Sequence, residues 1–358
     1  MGVYKMQQII LRLKGKSVLY PDEVPYEYKV NTARSYLRKR DFLTYATQLI
    51  PEQIGSESWS LAWGYIREVD DIIDQPKISL ERRMELLKRE KEVILDSFNN
   101  EFVFRDGYPL RYLWLNQFLE NEEKYYNGEV RPYIWELYES AKMDIMRRGK
   151  LLRQSEMNKL LYKKAGIFFK LYFKLSGFDL GPYFDEICEL MGIGLGILDD
   201  MLDMLFDYRS GYYNITIDEL KKLGLDDLDP CDKEFVMKLV KRGYFKYKSF
   251  EIMKMFIRAR EIARRMENKI LRRFLLRLTE IFAAPIVEGR FLPGQKYLFK
   301  GGKLLDAVLP HNETIAYRIG HKLVHWAMIF PQVAPNLFDA FMKKARKFND
   351  AILNHEGL

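Results

Sequence analysis

The chain has 358 residues, 48% hydrophobic and 14% aromatic, which is ample material for a core and unlike a disordered composition. Its formal charge is +8 and its isoelectric point is near 9.1, favouring anionic partners: nucleic acid, acidic lipid or phosphorylated small molecules. Two cysteines, Cys188 and Cys231, exclude a disulfide scaffold and lack the paired spacing of a zinc site, so a reducing cytoplasm is expected.

At the amino terminus, MGVYKMQQIILRLKGKSVLY has one short apolar run, interrupted by Arg12, and no small-residue cleavage site; no secretory signal is expected. Nowhere do about 18 uncharged apolar residues run together, as a membrane-spanning helix requires, so the chain is expected to be soluble or peripheral to a membrane. The apolar period is helical almost throughout and predicts helices over 57–74, 79–98, 132–148, 155–176, 183–208, 232–259 and 260–284. Breakers separate them: Asp74-Gln75-Pro76, Asn127-Gly128, Gly177 to Pro182 and Leu228-Asp229-Pro230. An all-α fold follows. Residues 285–310, with Pro285, Pro293 and three glycines in GQKYLFKGGK, read as a long loop or lid before a terminal helix pair. The expected division is a helical domain over 1–290 and a loop with C-terminal helices over 291–358, packed on that domain.

In SWSLAWGYIREVDDIIDQP, Asp70, Asp71 and Asp74 form a DDxxD pattern at the end of an apolar helix. At about 100° per residue, Asp70 and Asp74 project from one face roughly 40° apart. Mg2+ suits such a pair, since it takes a few hard carboxylate oxygens and completes its shell with water and substrate phosphate. Arg67, one turn earlier, lies near the same face. Taken alone, the pattern is also what an exposed acidic helix end looks like.

The second acidic segment is harder to explain away. MGIGLGILDDMLDMLFDYRSG places Asp199, Asp200, Asp203 and Asp207 within an arc of about 100° on an otherwise apolar helix. Burying unpaired carboxylates is prohibitive, while Ile197, Leu198, Met201 and Leu205 would bury the other faces. No lysine is interleaved between Met191 and Asp207, as a solvated helix would have, so the stripe is expected to face a cavity holding counter-charge. Two metal-binding stripes suggest an allylic diphosphate whose leaving group is neutralised by metal, with ionisation in a water-poor aromatic pocket. Phe42, Trp59, Trp63, Phe168, Phe169, Tyr172 and Phe173 could line it, although aromatics at this spacing also build ordinary cores.

The stretch RKRDFLTYATQLIPEQIGSESWSLAWGYIREVDDIID resembles the squalene/phytoene synthase family. Lys39-Arg40-Asp41-Phe42 stands where that family has serine-arginine-serine-phenylalanine. Leu49-Ile50-Pro51 follows, and Arg67 precedes Asp70 by three, as in the family pattern. SAKMDIMRRG, KKAGIFFKLYFKLSGF, the pair Asp203 and Asp207 with Gly211, and ITIDELKKLGL resemble further family segments, and the likeness spans roughly 30–290. It implies a helical bundle around a central cavity, with Asp70 and Asp74 facing Asp203 and Asp207 across Mg2+, or Mn2+ in its place. Arg40 and Arg67 become diphosphate contacts, with Arg209, Phe42 and Trp63 as further substrate-binding candidates. The chain departs from the pattern at Asp199 and Leu202, where asparagine and arginine are usual, and at Trp63 and Leu160, where tyrosines are; Tyr162 lies close to the latter.

The implied activity is the coupling of farnesyl or geranylgeranyl diphosphate to a second prenyl diphosphate with release of pyrophosphate. Head-to-tail elongation and terpene cyclisation fit the same residues, and a catalytically silent relative acting in assembly is the non-enzymatic alternative. Nothing indicates NADPH. His321 and His325 lack a third ligand, GQKYLFKGGK lacks the P-loop pattern, and no nucleic-acid-binding signature is present. The basic stretch 241–273 fits either a solvated helix face or contact with an acidic membrane.

Overall fold

Helices make up nearly all of the secondary structure. The computed structural model describes residues 18–19, 21–40, 52–75, 78–105, 107–232 and 234–288; Phe42, the two histidines and all of 291–358 lie outside them. The chain divides into two compact units, Met1–Met146 with Lys170–Asp179, and Arg147–Phe169 with Leu180–Leu358.

In the first unit run α1 (Tyr26–Arg40), α2 (Gln53–Ile73), α3 (Leu80–Phe98), α4 (Arg111–Tyr126) and α5 (Arg131–Met146), with a short antiparallel pair of β1 (Val18–Leu19) and β2 (Phe104–Arg105). α2 packs on both α4 and α1. Gly64 permits that approach: a Cβ there would stand 3.3 Å from Ala33 and 3.3 Å from the Trp114 ring. Ser79 caps α3 by accepting from Arg82 N–H at 3.2 Å. The Asn127-Gly128 breaker ends α4 as expected, both residues adopting positive φ (52° and 80°).

Neither α1 nor α4 is among the helices expected from periodicity, and the reason is their polar burial. α4 is buried around most of its circumference, Arg111, Gln117, Asn121 and Glu122 included, so it has no apolar stripe to detect. On α1, Lys29 is buried because its ammonium donates to Gln117 at 2.7 Å, while Thr32 accepts from the Trp114 indole at 2.9 Å. A lysine on the core side erases the period.

In the second unit, α6 (Gln154–Leu161) passes through a π-helical turn (Tyr162–Gly166) into α7 (Ile167–Leu175), whose remainder from Lys170 is counted with the first unit. Then follow α8 (Phe184–Arg209), α9 (Ile217–Lys222), α10 (Phe235–Lys241), α11 (Tyr244–Arg265) and α12 (Lys269–Glu288). The helix expected over 155–176 therefore carries an irregular turn at its centre. The one expected over 232–259 breaks at Gly243, whose φ is 82°. The next break falls at Met266–Asn268 instead of at 259, and α12 continues through Pro285 into the first residues of the expected loop.

Candidate functional site

The first acidic motif closes α2. Arg67 reaches forward along the helix, its guanidinium 3.0 Å from Asp70 Oδ2 and 2.8 Å from Asp71 Oδ1. Tyr36 on α1 donates its hydroxyl to the other Asp71 oxygen at 2.6 Å. Asp71 thus uses both oxygens within the protein and holds Arg67 in place. Asp74 ends the helix and is exposed, its own N–H donating to Asp70 O at 2.9 Å.

Beneath this end lies a buried ionic cluster. Arg111 pairs with Glu90 at 2.6 Å and with Glu68 at 3.3 Å. Burial raises the Glu68 carboxyl above its usual range, and the Arg111 guanidinium opposes that rise. Trp63 is half-buried and stacks on Trp59 with ring centroids 5.7 Å apart, and Trp59 meets the Tyr172 edge at 5.1 Å. Trp59, Phe168, Phe169, Tyr172 and Phe173 are all buried and serve as core.

The second motif lies on α8, which is held tightly to its neighbours. A Cβ on Gly192 would fall 2.3 Å from Gly166 N, and one on Gly194 would fall 2.7 Å from the Phe256 ring. Ile197, Leu198 and Met201 are buried as expected. Asp199 is exposed, Asp200 and Asp207 are half-buried, and Arg209 is exposed at the helix end. The Asp203 and Arg40 side chains lie outside the described residues. Tyr162, half-buried, stands in the π-helical turn with its ring against Gly166.

Positive charge reaches Asp200 from other elements. Burial lifts the Asp200 carboxyl to about 8; Arg147 and Lys164 pull it down, and Asp207 and Asp199 push it up. Asn214 donates from its amide to Asp207 Oδ2 at 2.5 Å. The orientation of that amide is set by Arg147, which donates to Asn214 Oδ1 at 2.9 Å and to Tyr213 O at 3.3 Å, with its guanidinium 5.2 Å from the Tyr212 ring centroid. Tyr244 donates to Asn214 O at 2.6 Å, fixing the backbone beneath. The 147–149 turn is itself tied to the end of α8, Gly149 N–H donating to Gly211 O at 2.7 Å and Arg148 to Ser210 O at 2.8 Å.

Sequence reasoning did not single out Tyr36, Arg147, Lys164 or Asn214. The trailing basic pair in SAKMDIMRRG was the only signal that pointed toward Arg147. Among the described residues no three side chains gather as a metal-ligating group. The α8 carboxylates are hard oxygen donors of the kind Mg2+ takes, and Asp200 holds its proton to about 8 chiefly because it is buried.

The chain is predominantly helical, and its fold is that of the isoprenoid-synthase helical bundles. No family model and no curated protein matches the sequence. Among solved structures, a squalene synthase, HpnC from Alicyclobacillus acidocaldarius, matches with a TM-score of 0.57 and 16% identity, over 75% of this chain and 97% of that one. A dehydrosqualene synthase in complex with a ligand matches with a TM-score of 0.57 and 14% identity, over 84% and 98%.

Proposed function

We propose that the protein is a Mg2+-dependent prenyltransferase of squalene/phytoene synthase type. It would ionise farnesyl or geranylgeranyl diphosphate and couple it to a second prenyl diphosphate with release of pyrophosphate. The observation that carries this reading is the α8 carboxylate stripe: acidic residues on a largely buried helix, with Asp207 bonded by Asn214 and Asp200 drawn on by Arg147 and Lys164 from other segments. An acidic surface helix would have no need of such support. The fold likeness to squalene and dehydrosqualene synthases adds to it.

Mg2+, or Mn2+ in its place, would be held by Asp70, Asp71, Asp74, Asp199, Asp200, Asp203 and Asp207; when bound, it supplies charge to the departing diphosphate. Asp71 and Tyr36 keep Arg67 extended beside Asp70, where its guanidinium can meet phosphate oxygens. Arg40 and Arg209 are the further phosphate contacts. Trp63 and Phe42 are the candidates for binding the hydrocarbon, and Tyr162 offers a phenolic oxygen for moving a proton.

The test is turnover. Purified protein with Mg2+ is expected to release pyrophosphate from farnesyl or geranylgeranyl diphosphate, and Asp74→Ala or Asp203→Ala is expected to abolish release. Mass spectrometry of the product, with and without reduced nicotinamide, separates coupling from head-to-tail elongation and from cyclisation. No turnover across a panel of prenyl diphosphates, together with no diphosphate or metal bound in a crystal soak, would overturn the reading.

A further inference from the structure

The basic stretch 241–273 has no place in the proposed chemistry, and its most unusual point is the turn joining α11 to α12. Ile270 is 71% exposed, the most exposed large hydrophobic side chain among the described residues. Around it Arg264, Arg265, Lys269 and Arg273 are all exposed, and Glu267 is the one acid among the exposed side chains of 264–273.

This presentation is built into the fold. Asn268 Oδ1 accepts from the N–H groups of both Ile270 and Leu271, at 3.0 and 3.1 Å, and so caps α12. Arg272 donates to Met266 O at 3.3 Å across the turn, and the buried side chains of Met266 and Leu271 anchor it on either side. Ile270 is therefore held outward by a capped, anchored turn.

We propose that the α11–α12 turn docks on an anionic lipid surface, with Ile270 entering the headgroup layer and the flanking cations meeting lipid phosphates. Charge alone would fit any polyanion. The apolar apex decides among them: a nucleic-acid backbone offers phosphate but no apolar layer for an isoleucine, whereas a bilayer interface offers both at adjacent depths. No described helix is long and apolar enough to cross a membrane, so the contact is peripheral. This surface stands independently of the diphosphate reading.

Flotation of the full chain with phosphatidylcholine vesicles, and with vesicles also containing phosphatidylglycerol, tests the proposal. Binding is expected only to the anionic vesicles. Ile270→Ser should weaken it about tenfold, and Lys269→Glu with Arg273→Glu should weaken it by at least about twentyfold, each variant melting as the parent does. The indole of Ile270→Trp is expected to shift its emission to the blue on anionic vesicles and to be quenched by brominated lipid. Failure to bind anionic vesicles, equal binding by Ile270→Ser, an unquenched indole in Ile270→Trp, or tighter binding to duplex DNA or RNA than to vesicles overturns it.

Discussion

A carboxyl on a buried helix needs positive charge or a proton, and Asp200 keeps its proton even though Arg147 and Lys164 oppose it from off its own helix. Its proton affinity, raised to about 8 chiefly by burial, makes the metal-free protein sensitive to alkali. In the unfolded chain the carboxyl ionises near 3.8, so between that value and about 8 the folded state holds the extra proton. The associated stability is complete below the unfolded value and is lost as pH rises through the folded one. In chelator-containing buffer, the melting temperature should fall as pH is raised from about 5 to about 8, and Asp200→Asn should flatten that slope. An unchanged slope in the variant would show that Asp200 does not titrate in this range.

The residue scale is also where the sequence was most and least legible. The α8 stripe stands out because acid on an apolar helix is too costly to be incidental, and Asp70 and Asp74 stand out by their DDxxD spacing. Their supports do not stand out. Asn214 follows Asp207 by seven positions in an irregular segment, while Arg147 and Lys164 precede Asp200 by more than thirty. No helical period links residues that meet only through the fold. Tyr36 reaches Asp71 from α1 in the same way, and α1 was itself absent from the expected helices.

At the scale of elements, periodicity finds a helix only when its burial is one-sided. α8 and α2 were legible to within a few residues because their apolar faces are continuous. α4, buried on most sides with its polar groups paired, was not. The π-helical turn left no composition signal, yet it positions Tyr162 and lies against α8 at Gly192. The contact predicts a specific asymmetry. Gly192→Ala would push a methyl group into the Gly166 backbone, where a Cβ stands 2.3 Å from N and 2.4 Å from Cα, and should cost upwards of about 3 kcal/mol in urea unfolding. Gly194→Ala meets the Phe256 ring edge instead, which can turn aside, and should cost less. Equal losses would show that α8 shifts as a body and that the close approach at Gly166 is not rigid.

For the molecule as a whole, the acidic residues form two sets far apart in sequence: Asp70 and Asp74 at the end of α2, and Asp199 to Asp207 on α8. Under the proposed function one diphosphate with its metal ions draws on both sets, and that is measurable without any turnover. Mg2+ and pyrophosphate together should raise the melting temperature by more than the sum of their separate effects. A ligand at a hundred times its dissociation constant contributes about 2.7 kcal/mol, which for a chain of this size is a shift of a few degrees. Asp74→Ala and Asp203→Ala should each remove most of that shift, and the double variant should lose little more, since sites serving one ligand are strongly non-additive. Independent sites would behave otherwise, each variant losing only its own share and the double variant losing the sum. That outcome would leave two separate cation sites in place of one diphosphate site, and it would remove the thermodynamic basis for a reaction that needs both acidic helices at once.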